Sequence, residues 1–346
     1  MLGMVGPQCE TELDEFASTP NEGVLGALSD LKGDIVVAGA GGKMGFHLCL
    51  MLSKALEGLE KKNRVVAVSR FGDASKREPF EERGIVTMPC DLTAEDGLDD
   101  LPDAEVVFFL AGQKFGTGDS PEVLRRFNVE MPTRVANHFA GSRIVALSTG
   151  CVYPFVEVAS GGSKEADPVG PTGDYAVSCR GREEAFITAS EAHRTPLALI
   201  RLNYSVDLRY GVLVDIADHV FRGEAVDVSM GHLNCLWQGD ATRHIIQSLE
   251  HAAVAPDHCL MNVTGSRILS VRELAQWFGK RLGKEVIITG AEADKVWLND
   301  AAKSHQLFGA PSVSEDELME WVARWIEEGN ALLGKPTHFE VRSGKY

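Results

Sequence analysis

The chain has 346 residues, enough for two modest domains or one large one, and its 34 basic and 50 acidic side chains give a formal net charge of -16. Such a chain repels a phosphate backbone and has no run of clustered Lys and Arg to offset this, so no nucleic-acid partner is expected. Hydrophobic residues make up 44%, enough to build a core and to exclude overall disorder, while apolar runs such as 106–111 fall far short of the ~20 residues a membrane helix needs.

Residues 1–32 form an acidic preface. Thr19 reads as a helix N-cap, with Pro20 in the first turn and Glu22 facing the positive dipole end. Val24, Leu25, Leu28 and Leu31 then make an apolar stripe that would dock a short helix on the main domain. From Asp34, short apolar runs alternate with amphipathic stretches. Strands are predicted over 35–38, 64–68, 85–88, 106–110, 143–148 and 197–202, and helices over 43–59, 121–140 and 175–192. Nearly continuous apolar strands alternating with helices specify an α/β fold, a doubly wound parallel sheet of Rossmann type covered on both faces. After residue 203 the elements shorten: helices over 212–222, 240–252, 271–282 and 315–328, and a strand over 225–228. The expected organisation is an N-terminal helical extension (1–32), the sheet domain (33–203), a smaller mixed α/β region (204–334) and a polar, extended tail (335–346).

Seven cysteines, an odd number without a CxxC, lie in apolar segments, which suits reduced thiols in the cytoplasm better than a disulfide framework. The N-terminus lacks a basic stretch followed by an apolar core, so no secretory signal is expected. The ten histidines form no HExxH and no Cys/His cluster, so no metal site is expected. The absence of a GxSxG elbow argues against an acyl hydrolase.

The sharpest motif is Gly39-Ala40-Gly41-Gly42-Lys43-Met44-Gly45, directly after a strand and opening a helix. Glycines at 39, 42 and 45 allow a tight turn, close approach of backbone N–H groups to a pyrophosphate, and packing of helix on strand. Lys43 and Met44 belong to this loop, so 33–203 is expected to bind a dinucleotide. A P-loop is disfavoured, since GxxxxGK[ST] is not met. At the end of the second strand an NAD site usually carries Asp or Glu. Here stand Ser69 and Arg70, whose hydroxyl and guanidinium suit a 2′-phosphate and favour NADP over NAD; the other reading has Arg70 stacked on adenine or facing solvent. Asp91, followed by Leu92, is placed to accept a hydrogen bond from the adenine amino group.

These residues resemble the extended short-chain dehydrogenases/reductases, the NAD-dependent epimerase/dehydratase family. Ala111-Gly112-Gln113-Lys114 is similar to that family's loop after the fourth strand, Asn128-Val129 to its next helix entry, and Ser148-Thr149-Gly150-Cys151-Val152-Tyr153 to its Ser-Ser-x-x-Val-Tyr. Tyr175-Ala176-Val177-Ser178 with Glu183 resembles Tyr-x-x-Ser-Lys-x-x-x-Glu, and Trp237–Asp240 and Asn262–Gly265 match later landmarks, so the resemblance spans about residues 33 to 330. It implies that Tyr175 gives or takes a proton while a hydride moves to or from nicotinamide, and that Thr149 holds the substrate oxygen. It also implies that Ala111, Gly112 and position 179 border the dinucleotide, and that two copies pair through the helices after the fourth and fifth strands.

One position departs. The family's lysine four residues after the tyrosine is Cys179 here, and none of the five tyrosines has Lys at the fourth following position. Another cation can substitute, either Lys114 or Arg182, the latter seven residues on and on the same helix face as Tyr175. Alternatively Tyr175 only donates a hydrogen bond, or catalysis is lost and the protein is a dinucleotide-binding sensor or scaffold. A reactive Cys179 weighs less than an inert buried thiol.

The substrate side is short. Residues 203–216 lack the long stretch of nucleotide-sugar enzymes in the family, and 231–237 lack their diphosphate-gripping Arg. This points to a smaller carbohydrate-like substrate, a free sugar, a sugar acid or another polyol-like carbonyl compound. Asn203, Arg209 and Trp237 are candidate substrate residues. Arg201 and Arg209 suit a carboxylate or phosphate unless they form structural pairs, and Trp237 could equally be core. Asn128 is a candidate water relay or a helix-entry hydrogen bond. The expected function is an NAD(P)-dependent oxidoreductase or epimerase acting on a small carbohydrate.

Overall fold

The computed structural model describes residues 5–114 and 120–344; the first four residues of the extension and the last two of the tail lie outside them. Seven strands form the central sheet: β1 (Ile35–Ala38), β2 (Val65–Ser69), β3 (Val86–Pro89), β4 (Val106–Phe109), β5 (Arg143–Thr149), β6 (Leu197–Leu202) and β7 (Cys259–Val263). All pair in parallel, in the order β7-β6-β5-β4-β1-β2-β3. β1 and β4 are buried throughout, as strands covered on both faces must be. The order reverses between β1 and β4, and their carboxyl ends flank the crevice where such sheets bind ligands.

Six strands fall within about one residue of their expected bounds. The seventh was not expected as a strand. Its Asn262 is fully buried, and the side chain donates to the carbonyls of Ser163 (2.9 Å) and Asp300 (3.0 Å) and accepts from Tyr153 Oη (3.0 Å). Distant partners thus satisfy a polar residue that otherwise argues against a central strand. The segment 204–334 therefore returns to the sheet before it finishes the smaller layer.

Helix α3 (Gly45–Gly58) packs on one face of the sheet. On the other lie α4 (Pro121–Arg125, a π-turn over Arg126–Glu130, and Met131–His138) and the 20-residue α5 (Asp174–His193). The smaller layer has its own core, built from α6 (Val212–Arg222), α8 (Val271–Leu282) and α9 (Glu315–Glu327), with α7 (Gln238–Gln247) bridging to the sheet. Among the described residues no helix is long and apolar enough to cross a membrane.

The N-terminal extension holds two helices, α1 (Glu10–Ala17) and α2 (Glu22–Leu28). Asn21, rather than Thr19, caps α2, accepting from Val24 N at 3.0 Å, while Thr19 Oγ1 donates back to Glu15 O. Leu13 and Ala17 of α1 enter the smaller layer's core beside Trp237 and Trp321. The tail also folds back. Phe339 is buried in that core, and Thr337 donates through N (2.7 Å) and Oγ1 (2.6 Å) to Asp215 Oδ2 on α6.

Candidate active site

The glycine loop leaves β1 with Gly39 at φ +93°, a left-handed conformation that favours glycine. A Cβ at Gly39 would lie 2.5 Å from Ala111 N, and one at Gly45 would overlap the Ala40 carbonyl. These glycines bring three segments together: the loop, the end of β2 and the end of β4. Between them opens a cleft of about 660 Å³, lined by Gly39, Gly41, Gly42, Ser69, Arg70, Asp91, Leu92, Ala111 and Gly112. Asp91 Oδ1 accepts from Thr93 Oγ1 (2.7 Å) and N (2.9 Å). The Thr93 hydroxyl is the main cause holding this carboxyl below the usual range, with Arg70 and Arg126 adding to it. Arg70 is exposed at the rim, its guanidinium carbon 5.8 Å from the Phe127 ring centroid. A cradle that side chains at its glycines would fill, with a carboxylate and a guanidinium at its far end, fits a dinucleotide.

Two members of the loop do not line the cleft. Lys43 turns away: its Nζ donates to Ser205 O (2.6 Å) and lies 4.4 Å from the Tyr210 ring centroid. Its stem is partly exposed but its ammonium is enclosed. Burial pulls its pKa down to about 8, against the opposing charges of Asp207 and Asp215. Met44 is a core residue.

A second cavity, about 590 Å³, shares Leu110, Gly112 and Gln113 with the first and collects Lys114, Thr149, Tyr175 and Arg182. Thr149 ends β5, and its Oγ1 accepts from Cys151 N at 3.2 Å. Tyr175 lies in the first turn of α5, with Cys179 one turn further along the same helix. Burial pushes the phenol well above its usual value; Cys179 adds to this and Arg182 opposes it. Cys179 is itself buried and its thiol pushed up, the opposite of what a nucleophile needs. Lys114 Nζ lies 5.9 Å from the Tyr175 ring centroid and donates to Thr337 O of the tail at 3.1 Å. Burial lowers its pKa. Asn128, in the π-turn of α4, is fully buried and ties the site together. It accepts from Gln113 N (3.0 Å) and Arg182 Nη2 (2.6 Å) and donates to Gln113 O (2.9 Å) and Ser178 Oγ (2.9 Å). Every one of its bonds goes to protein, so it is a cross-link rather than an open relay.

The three candidate substrate residues lie elsewhere. Trp237 is fully buried against Phe16 and Trp321, with ring centroids 6.0 and 5.8 Å away. Arg209 reaches Asp207 (3.1 Å) and Asp14 (3.0 Å), which clamps α1 to the smaller layer beside the buried His47. Asn203 donates to Asn234 Oδ1 at 2.9 Å, inside the protein. Arg201 pairs with Glu183 through Nε and Nη2, both at 2.8 Å. Burial raises the Glu183 carboxyl, but its bonds to Arg201, Ser148 and Arg180 outweigh this and leave it below the usual range. These arginines are committed to carboxylates of this chain. The tail was missed as part of the site, since nothing in its polar sequence marks Thr337 as a cover for Lys114.

The sequence and the fold are similar to those of known proteins. Residues 35–205 match the model of the NAD dependent epimerase/dehydratase family. Residues 35–205 belong to that family. The match includes the glycine loop, Asp91, Lys114, Thr149, Tyr175 and the Cys179 position. The fold of the epimerases extends further along the chain. A UDP-glucuronic acid 4-epimerase from Bacillus cereus in complex with NAD is 18% identical, with a TM-score of 0.69 over 85% of this chain and 99% of that one. A UDP-glucose 4-epimerase from Thermotoga maritima with UDP-glucose is also 18% identical, with a TM-score of 0.70 over 86% and 99%. No curated protein matches the chain by sequence.

Proposed function

We propose that this epimerase-family protein is an NAD(P)-dependent oxidoreductase or epimerase that moves a hydride to or from a carbinol or carbonyl carbon of a small carbohydrate-like substrate. The observation that carries this reading is the placement of Tyr175 and Thr149 in a cavity that shares a wall with the glycine-loop cleft. When bound, the nicotinamide dinucleotide supplies the hydride acceptor or donor. Gly39, Gly42 and the backbone at the start of α3 hold its pyrophosphate, Asp91 its adenine, and Ser69 and Arg70 the ribose end. The exposed Arg70 guanidinium supports NADP over NAD.

Thr149 Oγ1 and the Tyr175 phenol orient the substrate oxygen. On oxidation that oxygen gives its proton to Tyr175 as the carbon gives up the hydride; on reduction the phenol returns it. Lys114 borders the ring of Tyr175 and adds positive charge to the cavity. The tail supports a substrate smaller than a nucleotide sugar, because Thr337 engages both Lys114 and Asp215 on the substrate side. The outer surfaces of α4 and α5, where Val177 is exposed, suit pairing of two copies. Seven unpaired thiols suit the cytoplasm.

Sugars and sugar acids screened for production or consumption of reduced nicotinamide, or for inversion at carbon, test the reading. With an accepted substrate, Tyr175→Phe is expected to lower kcat by about 10²- to 10⁴-fold and to leave dinucleotide affinity within about threefold. Unchanged turnover in that variant would remove Tyr175 from the chemistry. Intact dinucleotide binding without turnover of any candidate would favour the sensor reading.

A further inference from the structure

Cys179 occupies the place of the family's lysine and brings no charge, so a buried phenol would have to ionise unaided. Two cations border its cavity. Lys114 lies off the ring of Tyr175 and is engaged by the tail carbonyl of Thr337. Arg182 stands on the helix of Tyr175 itself. Seven residues on, two turns return it to the same face, with Cys179 one turn short of it. Its side chain is 6% exposed. Nη1 donates to Leu147 O on β5 (3.1 Å) and Nη2 to Asn128 on α4. These two bonds fix the guanidinium plane against the sheet. Nε is enclosed and has no partner among the described residues, a costly state for a buried donor unless a ligand or an anion completes it. A Cβ at Gly112 would overlap Nη2, so the chain keeps a glycine where the guanidinium needs room.

Resting on the acid/base reading of Tyr175, we propose that Arg182 is the positioning cation of this site. Its guanidinium stabilises the Tyr175 phenolate from one helical turn beyond the family's lysine position, with Cys179 as a neutral spacer between them. Arg182 opposes the burial-driven rise of both the Tyr175 phenol and the Cys179 thiol. Arginine stays charged across the working pH range. Of this pair only the phenol gains and loses a proton, so the part of the acid/base limb that depends on Arg182 belongs to Tyr175, beside the Lys114 ammonium and the Cys151 and Cys179 thiols that also face it.

The test is fluorine NMR of the full-length protein labelled with difluorotyrosine, whose ring fluorines acidify the phenol, with Tyr175→Phe assigning the resonance. Arg182→Gln is expected to raise the Tyr175 midpoint by about one to three pH units. Arg182→Lys should recover most of that shift, and adding Cys179→Lys to Arg182→Gln should lower the midpoint again. The pH profile of turnover should move in step. If Arg182→Gln does not fold, Gly112→Ala, which displaces the guanidinium without removing it, should raise the midpoint instead. A midpoint unmoved in the folded variant, or moved equally by Gln and Lys, overturns the proposal. An unmoved midpoint with Tyr175→Phe inactive would remove only the role of Arg182. Turnover surviving in Tyr175→Phe would remove the acid/base reading on which it rests.

Discussion

Lys43 shows how a residue in a ligand-binding motif can serve the fold. Its ammonium leaves the cleft for Ser205 O and the Tyr210 ring, and burial brings its pKa to about 8. An unfolded lysine titrates near 10.4, so the folded state sheds this proton first. The burial penalty is therefore fully present below pH 8 and fades as pH rises toward about 10. Lys43→Met is expected to stabilise the protein at pH 7 by about 1–2 kcal/mol, less than the shift alone implies because Ser205 O loses its donor. The gain should disappear near pH 10, and dinucleotide affinity should hold. Thermal unfolding at the two pH values checks this; a loss of stability at pH 7 would show that the ammonium is net favourable where it sits.

Among the elements, the tail reaches the substrate side through Thr337. It buries Phe339, gives Asp215 two hydrogen bonds and covers Lys114. A chain ending at residue 334 is expected to lose about 2–4 kcal/mol of stability from the uncovered apolar area and the two lost donors. Its dinucleotide affinity should hold, since the glycine-loop cleft lies away from the tail, while KM for a small substrate should rise about tenfold or more. Chemical denaturation and steady-state kinetics separate the two effects; an unchanged KM would show that the tail does not form the pocket.

This division follows what the sequence can display. β1 to β6 and the glycine loop were legible because apolar runs and glycines act locally. β7 was not, because Asn262 depends on the carbonyls of Ser163 and Asp300. α1 escaped because its apolar face is narrow, Leu13 and Ala17 in an acidic run. Whether Arg209 and Arg201 serve a ligand or structural pairs was left open by the sequence, because two of their carboxylates, on Asp14 and Glu183, come from other elements, while Asp207 is local to Arg209. Tyr175, Thr149 and Lys114 were expected from the resemblance of their motifs to the family's, and all three line one cavity. The carbonyl that engages Lys114 comes from a tail with no motif.

At the scale of the molecule, the reversal of strand order between β1 and β4 decides where everything else sits. It sets the glycine loop beside the Ala111–Lys114 loop, and β5 then delivers Thr149 to the same edge. The smaller layer, α1 and the tail share one core, drawn from three parts of the chain. The account stands on a dinucleotide filling the crevice. Native mass spectrometry of the purified protein, offered equimolar NAD+ and NADP+, tests this most directly and also reveals any cofactor already resident. One dinucleotide per chain is expected, with NADP+ favoured through Arg70 and that preference reversed by Arg70→Asp. A folded protein that carries and takes up neither dinucleotide would contradict the account.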